Sequence, residues 1–201
     1  MGTPLNYTYR VDKKELRDSA LKRMDRWFTE DEVLKILNHP MRLRTALMLR
    51  LLVETGIRVQ ELSNIVGNDI DIQERTLRVK VSKTKPRVVF FSPKTVDLLI
   101  EHDETVKFIK IFPKKRLFPG IPQIQLAVNT TLVELGLKEK QDGRGPHTFR
   151  HYFATFLFYV GDMWIGDIAR LMGDTPDVVE KTYLHPTSTM LRKRVDKAMD
   201  W

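Results

Sequence analysis

Apolar residues recur at helical spacing along most of the chain, and this pattern predicts a mainly helical fold. Thr29 and Glu32 have the spacing of a capping box and open an amphipathic helix over EDEVLKIL. A longer apolar helix, RLRTALMLRLLVE, is expected to end at Gly56, because glycine readily takes the backbone conformation that stops a helix. These two segments predict two successive helices near the start of the folded region.

The remaining segments add further helices and two strand-like runs. DIDIQERTLRVKVS and RVVFF alternate like strands, with a turn at residues 83–85 between them. Ser92 and Pro93 suit the N-cap and first position of a helix over KTVDLLIEH, and residues 109–124 are expected to form an irregular basic loop. Other helices are predicted over VQELSNIV, IQLAVNTTLVELGL, HTFRHYFATFLFYVG (the central buried helix), WIGDIARLMG, DVVEKTY with a cap at Thr175 and Pro176, and TSTMLRKRVDKAMDW.

The predicted elements give an α+β fold that is mainly helical and carries a small antiparallel β-sheet. A chain of 201 residues with 42% apolar residues suits one domain with a proper core. Residues 1–28 have too few apolar positions for a core of their own and are predicted to be a basic linker or docking helix. The main domain is expected over residues 29–201, with a tail helix over residues 186–201.

The charge of the chain favours an acidic polymer as its partner. A net charge of +8 and a pI near 9.7 suit nucleic acid, because each neutralised phosphate releases counterions and adds affinity. The absence of cysteine excludes disulfides, thiolate metal sites and cysteine nucleophiles. The sequence shows neither a signal peptide nor an apolar run long enough to cross a membrane, so we expect no membrane partner and a cytoplasmic location.

Five residues suggest that a phosphate is held and attacked. His147 and Arg150 share one face in the first turn of a helix, where backbone N–H groups and the helix dipole favour an anion. Arg58 stands at another helix start, Lys83 lies in the turn between the strands, and Tyr183 ends a capped helix. Each has an ordinary alternative as a surface charge, a solvated turn or a half-buried aromatic. Together they suggest metal-free phosphoryl transfer through a tyrosine nucleophile.

Four segments in order resemble the tyrosine recombinases, also called lambda-integrase-like DNA breaking–rejoining enzymes. TGIRVQEL is similar to the first-arginine box of that family, and SKTKPRVVFFSP to its β-hairpin lysine segment. HTFRHYFAT resembles its His-x-x-Arg-His box, and LMGDTPDVVEKTYLH its final tyrosine segment. The resemblance covers residues 29–184. It implies the catalytic fold of the family, action on double-stranded DNA, and a synaptic tetramer of the chain with itself on DNA.

The resemblance also implies roles for the five residues. Tyr183 would attack the scissile phosphate and form a 3′-phosphotyrosyl bond, while Arg58 and Arg150 hold the nonbridging oxygens. Lys83, or alternatively Lys85, would protonate the departing 5′-oxygen, and His147 would orient or deprotonate the tyrosine. The family needs neither metal nor ATP, so no cofactor is expected. Further DNA contacts are expected from basic residues outside these boxes: Lys85, Arg87, Lys114, Lys115, Arg116 and Arg144.

Two features depart from the pattern of that family. Asp174 replaces the usual second histidine or tryptophan. Its carboxylate is expected to face a cation, to be protonated or to serve as a charge at a helix N-terminus. Its presence puts the rate of the chemistry in doubt. His151 or His185 is the alternative donor for the hydrogen bond that the usual histidine or tryptophan would make. The segment before Thr29 is too short for the family's DNA-clamping domain, so we expect a catalytic fragment rather than a naturally minimal recombinase. The rival functions are a type IB topoisomerase-like activity and a catalytically silent DNA-binding module.

Overall fold

The computed structural model of the protein describes residues 27–80, 86–101, 103–139, 142–184, 186 and 188–199. These residues form a mainly helical α+β fold with a three-stranded antiparallel sheet, which confirms the predicted fold class. The strands are β1 (Ile70–Asp71), β2 (Thr76–Val79) and β3 (Arg87–Phe90). The helices are α1 (Glu30–Asn38), α2 (Leu43–Thr55), α3 (Val59–Ser63), α4 (Pro93–Glu101), α5 (Asp103–Ile111), α6 (Ile121–Glu134), α7 (Pro146–Tyr159), α8 (Ile165–Met172), α9 (Pro176–Tyr183) and α10 (Ser188–Ala198), and a 3₁₀ turn covers Gly67–Asp69.

The first two helices begin and end where their sequence signals place them. The Thr29 side chain accepts a hydrogen bond from the Glu32 backbone, and the Glu32 carboxylate accepts one from Thr29, which confirms the capping box. Helix α2 ends at Gly56 with a φ of 58°, a value that favours glycine. A Cβ at this position would lie 2.4 Å from the Phe153 ring, so the close packing of α2 on α7 also requires glycine.

The sheet differs from the two strand-like runs that the sequence pattern predicts. The first run is split into β1 and β2, whose partners are Ile70 with Leu77 and Asp71 with Thr76. The split occurs because the Asp71 side chain accepts a hydrogen bond from the Glu74 backbone, and Arg75 has a φ of 54°. Strand β3 then pairs antiparallel with β2. The predicted turn at residues 83–85 lies outside the described part of the chain.

The predicted loop over residues 109–124 is too long at both ends. Helix α5 continues to Ile111 and α6 begins at Ile121, with Pro122 in its first turn, where a missing N–H costs no helical hydrogen bond. Ser92 directly precedes the first residue of α4, Pro93, as its predicted N-cap position requires, and its carbonyl accepts from the Val96 backbone. Its hydroxyl and its backbone N–H both donate to the Glu54 carboxylate, at 2.8 Å each, so Ser92 ties the start of α4 to α2.

Helix α7 is the central buried helix, as its apolar sequence predicts. It packs on α2, and its early residues Phe149 and Tyr152 belong to the main core. A second, smaller core lies where α7, α8 and α9 meet, and it includes Phe153, Met172 and Tyr183. The residue predicted to be the nucleophile is therefore held by packed helices rather than by a surface loop.

The structure describes only part of the two predicted segments at the ends of the chain. Residues 1–26 of the predicted linker or docking helix lie outside the described residues, whereas Trp27 contacts the His151 ring and Phe28 is buried in the main core. The predicted tail helix is α10, which packs on α7 through a hydrogen bond from Arg194 to the Phe158 carbonyl. Among the described helices, none has both the length and the apolar character needed to cross a membrane.

Candidate active site

Arg150 occupies the centre of the candidate site and is almost completely buried. It lies one turn into α7, and 1% of its side chain is exposed. Its Nη1 donates to the Gly56 carbonyl at 2.5 Å, and its Nη2 to the Met172 carbonyl at 2.8 Å. Its Nε lies 3.2 Å from the Tyr183 hydroxyl. The guanidinium therefore joins the ends of α2 and α8 to the last residue of α9, as a buried charge with hydrogen-bonding partners.

Arg58 approaches the same site from the start of α3. It is the N-cap residue of α3, and its Nη2 lies 2.6 Å from Oδ1 of Asp174. The backbone N–H of Arg58 donates to the Glu61 carboxylate at 2.8 Å. Burial lowers the pKa of the Arg58 guanidinium, but the carboxylates of Asp174 and Glu61 outweigh burial and raise this pKa above its ordinary value. Arg58 is thus a permanent cation at the site.

Glu61 supports Arg58 through a buried ion pair with Arg87. The Glu61 side chain is 2% exposed, and its two oxygens accept from Nη1 and Nη2 of Arg87 at 2.9 and 2.7 Å. The same carboxylate accepts from the Arg58 side chain at 3.4 Å. Arg87 is 5% exposed and also donates to the Leu171 carbonyl at 2.6 Å. Its guanidinium is therefore engaged by protein groups, and its predicted contact with DNA stays a prediction.

Removing the charge of Glu61 is expected to destabilise the fold strongly. Glu61→Gln keeps the shape of the side chain but leaves Arg87 buried without its anion, a change that costs about 3–5 kcal/mol when one partner of a buried pair is lost. The free energy of unfolding from urea titrations measures the effect. Glu134→Gln is the matched control, because Glu134 pairs with His39 at the surface, where such pairs contribute about 0–1 kcal/mol. Equal losses in the two variants would contradict the buried role of Glu61.

Tyr183 ends α9 with its ring buried and its hydroxyl directed at Arg150. The side chain is 5% exposed, and the Arg150 guanidinium also lies 5.2 Å from the centre of its ring. The Thr155 hydroxyl donates to the Tyr183 carbonyl at 2.8 Å, which fixes the end of α9 against α7. The Arg150 guanidinium therefore lies beside the oxygen of the residue that is predicted to be the nucleophile.

Aromatic rings surround the tyrosine on the side of α7. The His147 ring centre lies 5.7 Å from that of Tyr183, and the His151 ring centre lies 4.8 Å from it. His147 is exposed, whereas His151 is 6% exposed and stacks at 3.8 Å on Trp27. The structure thus brings the predicted His147 next to the nucleophile, and places the alternative His151 even closer.

Asp174 faces two cations, which is one of the alternatives open from the sequence. Its Oδ1 accepts from Arg58 and its Oδ2 from Nη2 of Arg150 at 2.5 Å. It directly precedes Thr175, whose side chain caps α9 by accepting from the Val178 backbone. The carboxylate therefore bridges the two arginines that the sequence assigns to phosphate binding, rather than acting only as a charge at the start of α9.

Of the other predicted residues, the structure describes Arg144 and the basic residues between α5 and α6, but not the two lysines of the predicted turn. Lys83 and Lys85 lie outside the described residues, so their predicted roles stay predictions. Arg144 donates to the Glu32 carboxylate at 2.8 Å and to the Leu137 carbonyl at 2.9 Å, so its guanidinium is engaged within the protein. Three of the predicted DNA contacts are exposed in the segment between α5 and α6, namely Lys114, Lys115 and Arg116. No structural contact tests their predicted binding to DNA.

Sequence reasoning did not find the full set of groups that hold the site together. The i, i+3 spacing of Arg58 and Glu61 predicts an ordinary surface pair and carries no signal of burial. The apolar Leu62 beside Glu61 was the available hint. The Gly56 and Met172 carbonyls have no sequence signature, and neither does the stacking of Trp27 on His151. The resulting arrangement can hold an anion with two guanidinium groups beside a tyrosine hydroxyl.

Comparisons with known proteins agree with this arrangement. The phage integrase family matches residues 26–190. Tyrosine recombinase XerA of Saccharolobus solfataricus is 31% identical over 199 residues, which cover 97% of this chain and 62% of the relative. Tyrosine recombinase XerC of Proteus mirabilis is 31% identical over 183 residues, which cover 84% of this chain and 57% of the relative. The chain therefore spans about three fifths of the length of these relatives.

Solved structures show the same fold. A crystal structure of XerA recombinase matches with a TM-score of 0.72 and 22% identity, over 86% of this chain and 63% of the other. The XerH site-specific recombinase, in a post-cleavage complex with its palindromic difH substrate, matches with a TM-score of 0.67 and 20% identity, over 85% of this chain and 52% of the other. With the fold shared and most of the sequence matched, the chain belongs to the phage integrase family.

Proposed function

We propose that this chain is the DNA-cleaving and rejoining part of a site-specific tyrosine recombinase. One observation carries the proposal: the Tyr183 hydroxyl lies 3.2 Å from a buried arginine that, with Arg58, forms an anion site. A scissile phosphate held by two guanidinium groups would lie beside the nucleophile. Family membership and the DNA-bound XerH neighbour support DNA as the substrate.

The proposed reaction exchanges one phosphodiester bond for another. The Tyr183 oxygen attacks the phosphorus, the bond to the 5′-oxygen breaks, and a 3′-phosphotyrosyl bond forms. Arg58 and Arg150 stabilise the charge on the nonbridging oxygens in the transition state. His147 orients the tyrosine or takes its proton, and Lys83 or Lys85 returns a proton to the departing 5′-oxygen. Attack by the 5′-hydroxyl of another strand reverses the steps and joins the DNA.

The partners of the reaction are double-stranded DNA and further copies of the chain. Exposed Lys114, Lys115 and Arg116 offer cations for phosphate contacts, in keeping with the net charge of +8. Recombination joins four strands, so we infer a synaptic tetramer on DNA. Helix α10, which keeps Leu191 and Val195 exposed, is a candidate contact between copies. We place this DNA chemistry in the cytoplasm.

A trapped covalent intermediate tests the proposed chemistry. A duplex that the protein binds is selected from a random library and remade with a 5′-bridging phosphorothiolate at successive positions, so that the released thiol cannot rejoin the strand. A denaturing gel is expected to show a covalent protein–DNA band, and mass spectrometry of the digest should locate the nucleotide on Tyr183. The reaction is expected to proceed in EDTA.

A weakened DNA-binding module is the second candidate function, and the Asp174 contacts with both arginines favour it. That candidate predicts binding of the selected duplex without any covalent band at any position. A type IB topoisomerase-like activity would instead relax supercoiled plasmids that lack the selected site. Either result would replace the proposed recombinase function.

A further inference from the structure

We propose that the Asp174 carboxylate is a resident anion that occupies the place of the scissile phosphate and must leave before DNA can be cleaved. The inference rests on the proposed function, because it assumes that Arg58 and Arg150 hold the phosphate. Asp174 bridges the two arginines with one oxygen on each, at 2.6 and 2.5 Å. A phosphodiester presents the same features, a single negative charge shared by two equivalent oxygens.

The hydrogen-bonding capacity of Arg150 makes the two anions competitors. A guanidinium has five N–H groups. Four acceptors already face Arg150: the Gly56 and Met172 carbonyls, the Tyr183 hydroxyl and Asp174. The two carbonyls belong to buried backbone and cannot leave without unfolding the ends of α2 and α8. The four contacts leave one N–H group of Arg150, but a phosphate bound bidentately needs two. The second must be the N–H group that now donates to Asp174.

Electrostatics leads to the same conclusion. Three guanidinium groups meet here, from Arg58, Arg87 and Arg150, and the carboxylates of Glu61 and Asp174 oppose them. Glu61 is 2% exposed and fixed between Arg58 and Arg87, so it cannot move aside. Asp174 beside a bound phosphate would place two anions within a few ångströms of each other, which costs several kcal/mol at an effective dielectric constant of about 20. Of the two carboxylates, Asp174 is the one that can yield.

The surroundings of Asp174 give its side chain room to move. It lines an open cavity of about 600 Å³, together with Gly173, Thr175 and Arg170. The Arg170 side chain lines the same cavity, is 85% exposed and has a long contact of 4.0 Å with Asp167, so it can become a new partner for the Asp174 carboxylate. A rotation of the Asp174 side chain toward the cavity would free both site arginines without moving α8 or α9.

The alternative is that Asp174 merely holds the arginines in place. The two roles predict opposite effects on phosphate binding and cleavage when the carboxylate is removed. If Asp174 is a resident anion, every molecule in which it stays between the arginines is closed to phosphate. The apparent affinity for the phosphate is then reduced by the fraction of molecules that are open. Removing the charge should raise phosphate binding and cleavage. If Asp174 is only a structural tie, removing it should lower both.

Asp174→Asn and Asp174→His test the inference, with Asp177→Asn as the matched control. Both Asp174 variants lose the anion, and the cavity leaves space for the larger histidine. Asp177 lies three residues away, pairs with Lys181 at the surface and has no contact with the site arginines, so its loss changes the net charge equally. The first readout is the rise in melting temperature with inorganic phosphate, and the second is the rate of covalent attachment at subsaturating phosphorothiolate duplex.

The expected result is a phosphate-dependent rise in melting temperature in both Asp174 variants at phosphate concentrations roughly tenfold lower than the parent and Asp177→Asn require. If about one parent molecule in ten is open to phosphate, covalent attachment should be roughly tenfold faster in the Asp174 variants. If attachment occurs but is unchanged or slower in both variants, the inference is overturned and Asp174 is a structural tie. If no variant attaches to a bound duplex, the proposed function fails, while the phosphate readout still decides the role of Asp174.

Discussion

Replacing Tyr183 by phenylalanine is expected to abolish covalent attachment to DNA, while the affinity for the same duplex stays close to that of the parent. Phenylalanine keeps the ring in its place between α7 and α9 but removes the oxygen that would attack phosphorus. The lost hydrogen bond with Arg150 is worth about 1 kcal/mol, so the fold should persist. A denaturing gel with the phosphorothiolate duplex measures attachment, fluorescence anisotropy measures DNA affinity, and urea titration measures stability.

Tyr159→Phe is the matched control for this experiment. Tyr159 lies at the end of α7 with its ring against Phe158, near the tail residue Arg194, and it makes no contact with Arg150. This variant should attach to DNA at the parental rate. Continued attachment by Tyr183→Phe would assign the nucleophile to another group. Tyr152 is a poor replacement, because burial and the nearby Glu30 carboxylate raise the pKa of its hydroxyl and disfavour the phenolate.

Most helices of this fold could be predicted because their signals are local, whereas α5 (Asp103–Ile111) was not predicted. Thr29 and Glu32 satisfy each other within one turn, Gly56 supplies the conformation that ends α2, and Thr175 caps α9. Such contacts depend on residues three or four positions apart, which the sequence displays directly. The division of the first strand-like run into β1 and β2 could not be predicted, because the sequence shows no local signal for it. Alternation continues through the turn, and only the Asp71 hydrogen bond and the positive φ of Arg75 reveal the break.

The candidate site was predictable as a set of residues but not as a network. Arg58, Arg150 and Tyr183 come from three segments that are far apart in sequence, and the order of the family boxes placed them together. The contacts that decide their behaviour join residues that are distant in sequence, from 24 positions between Arg150 and Asp174 to 116 positions between Arg58 and Asp174. Packing of α7, α8 and α9 sets these contacts, and no local pattern encodes them.

Arg150→Lys is expected to slow covalent attachment about 100- to 1000-fold at saturating DNA, the loss typical when one preorganised group that stabilises transition-state charge is removed. Lysine keeps the positive charge, but its ammonium has three N–H groups at one point, whereas the arginine now serves four acceptors in different directions. An ammonium satisfied by the Gly56 and Met172 carbonyls would have little left for a phosphate. The charge alone therefore cannot replace the planar guanidinium.

The same substitution separates the catalytic role of Arg150 from its structural one. Each of the two buried carbonyls that the ammonium leaves without a donor should lower the free energy of unfolding by about 1–3 kcal/mol, measured by urea titration. The attachment rate is then measured at a temperature where the variant remains folded. Arg44→Lys, at an exposed side chain near the start of α2, should change neither quantity. A destabilised Arg150→Lys protein that attaches to DNA at the parental rate would limit Arg150 to holding the ends of α2 and α8, and would leave Arg58 to bind the phosphate by itself.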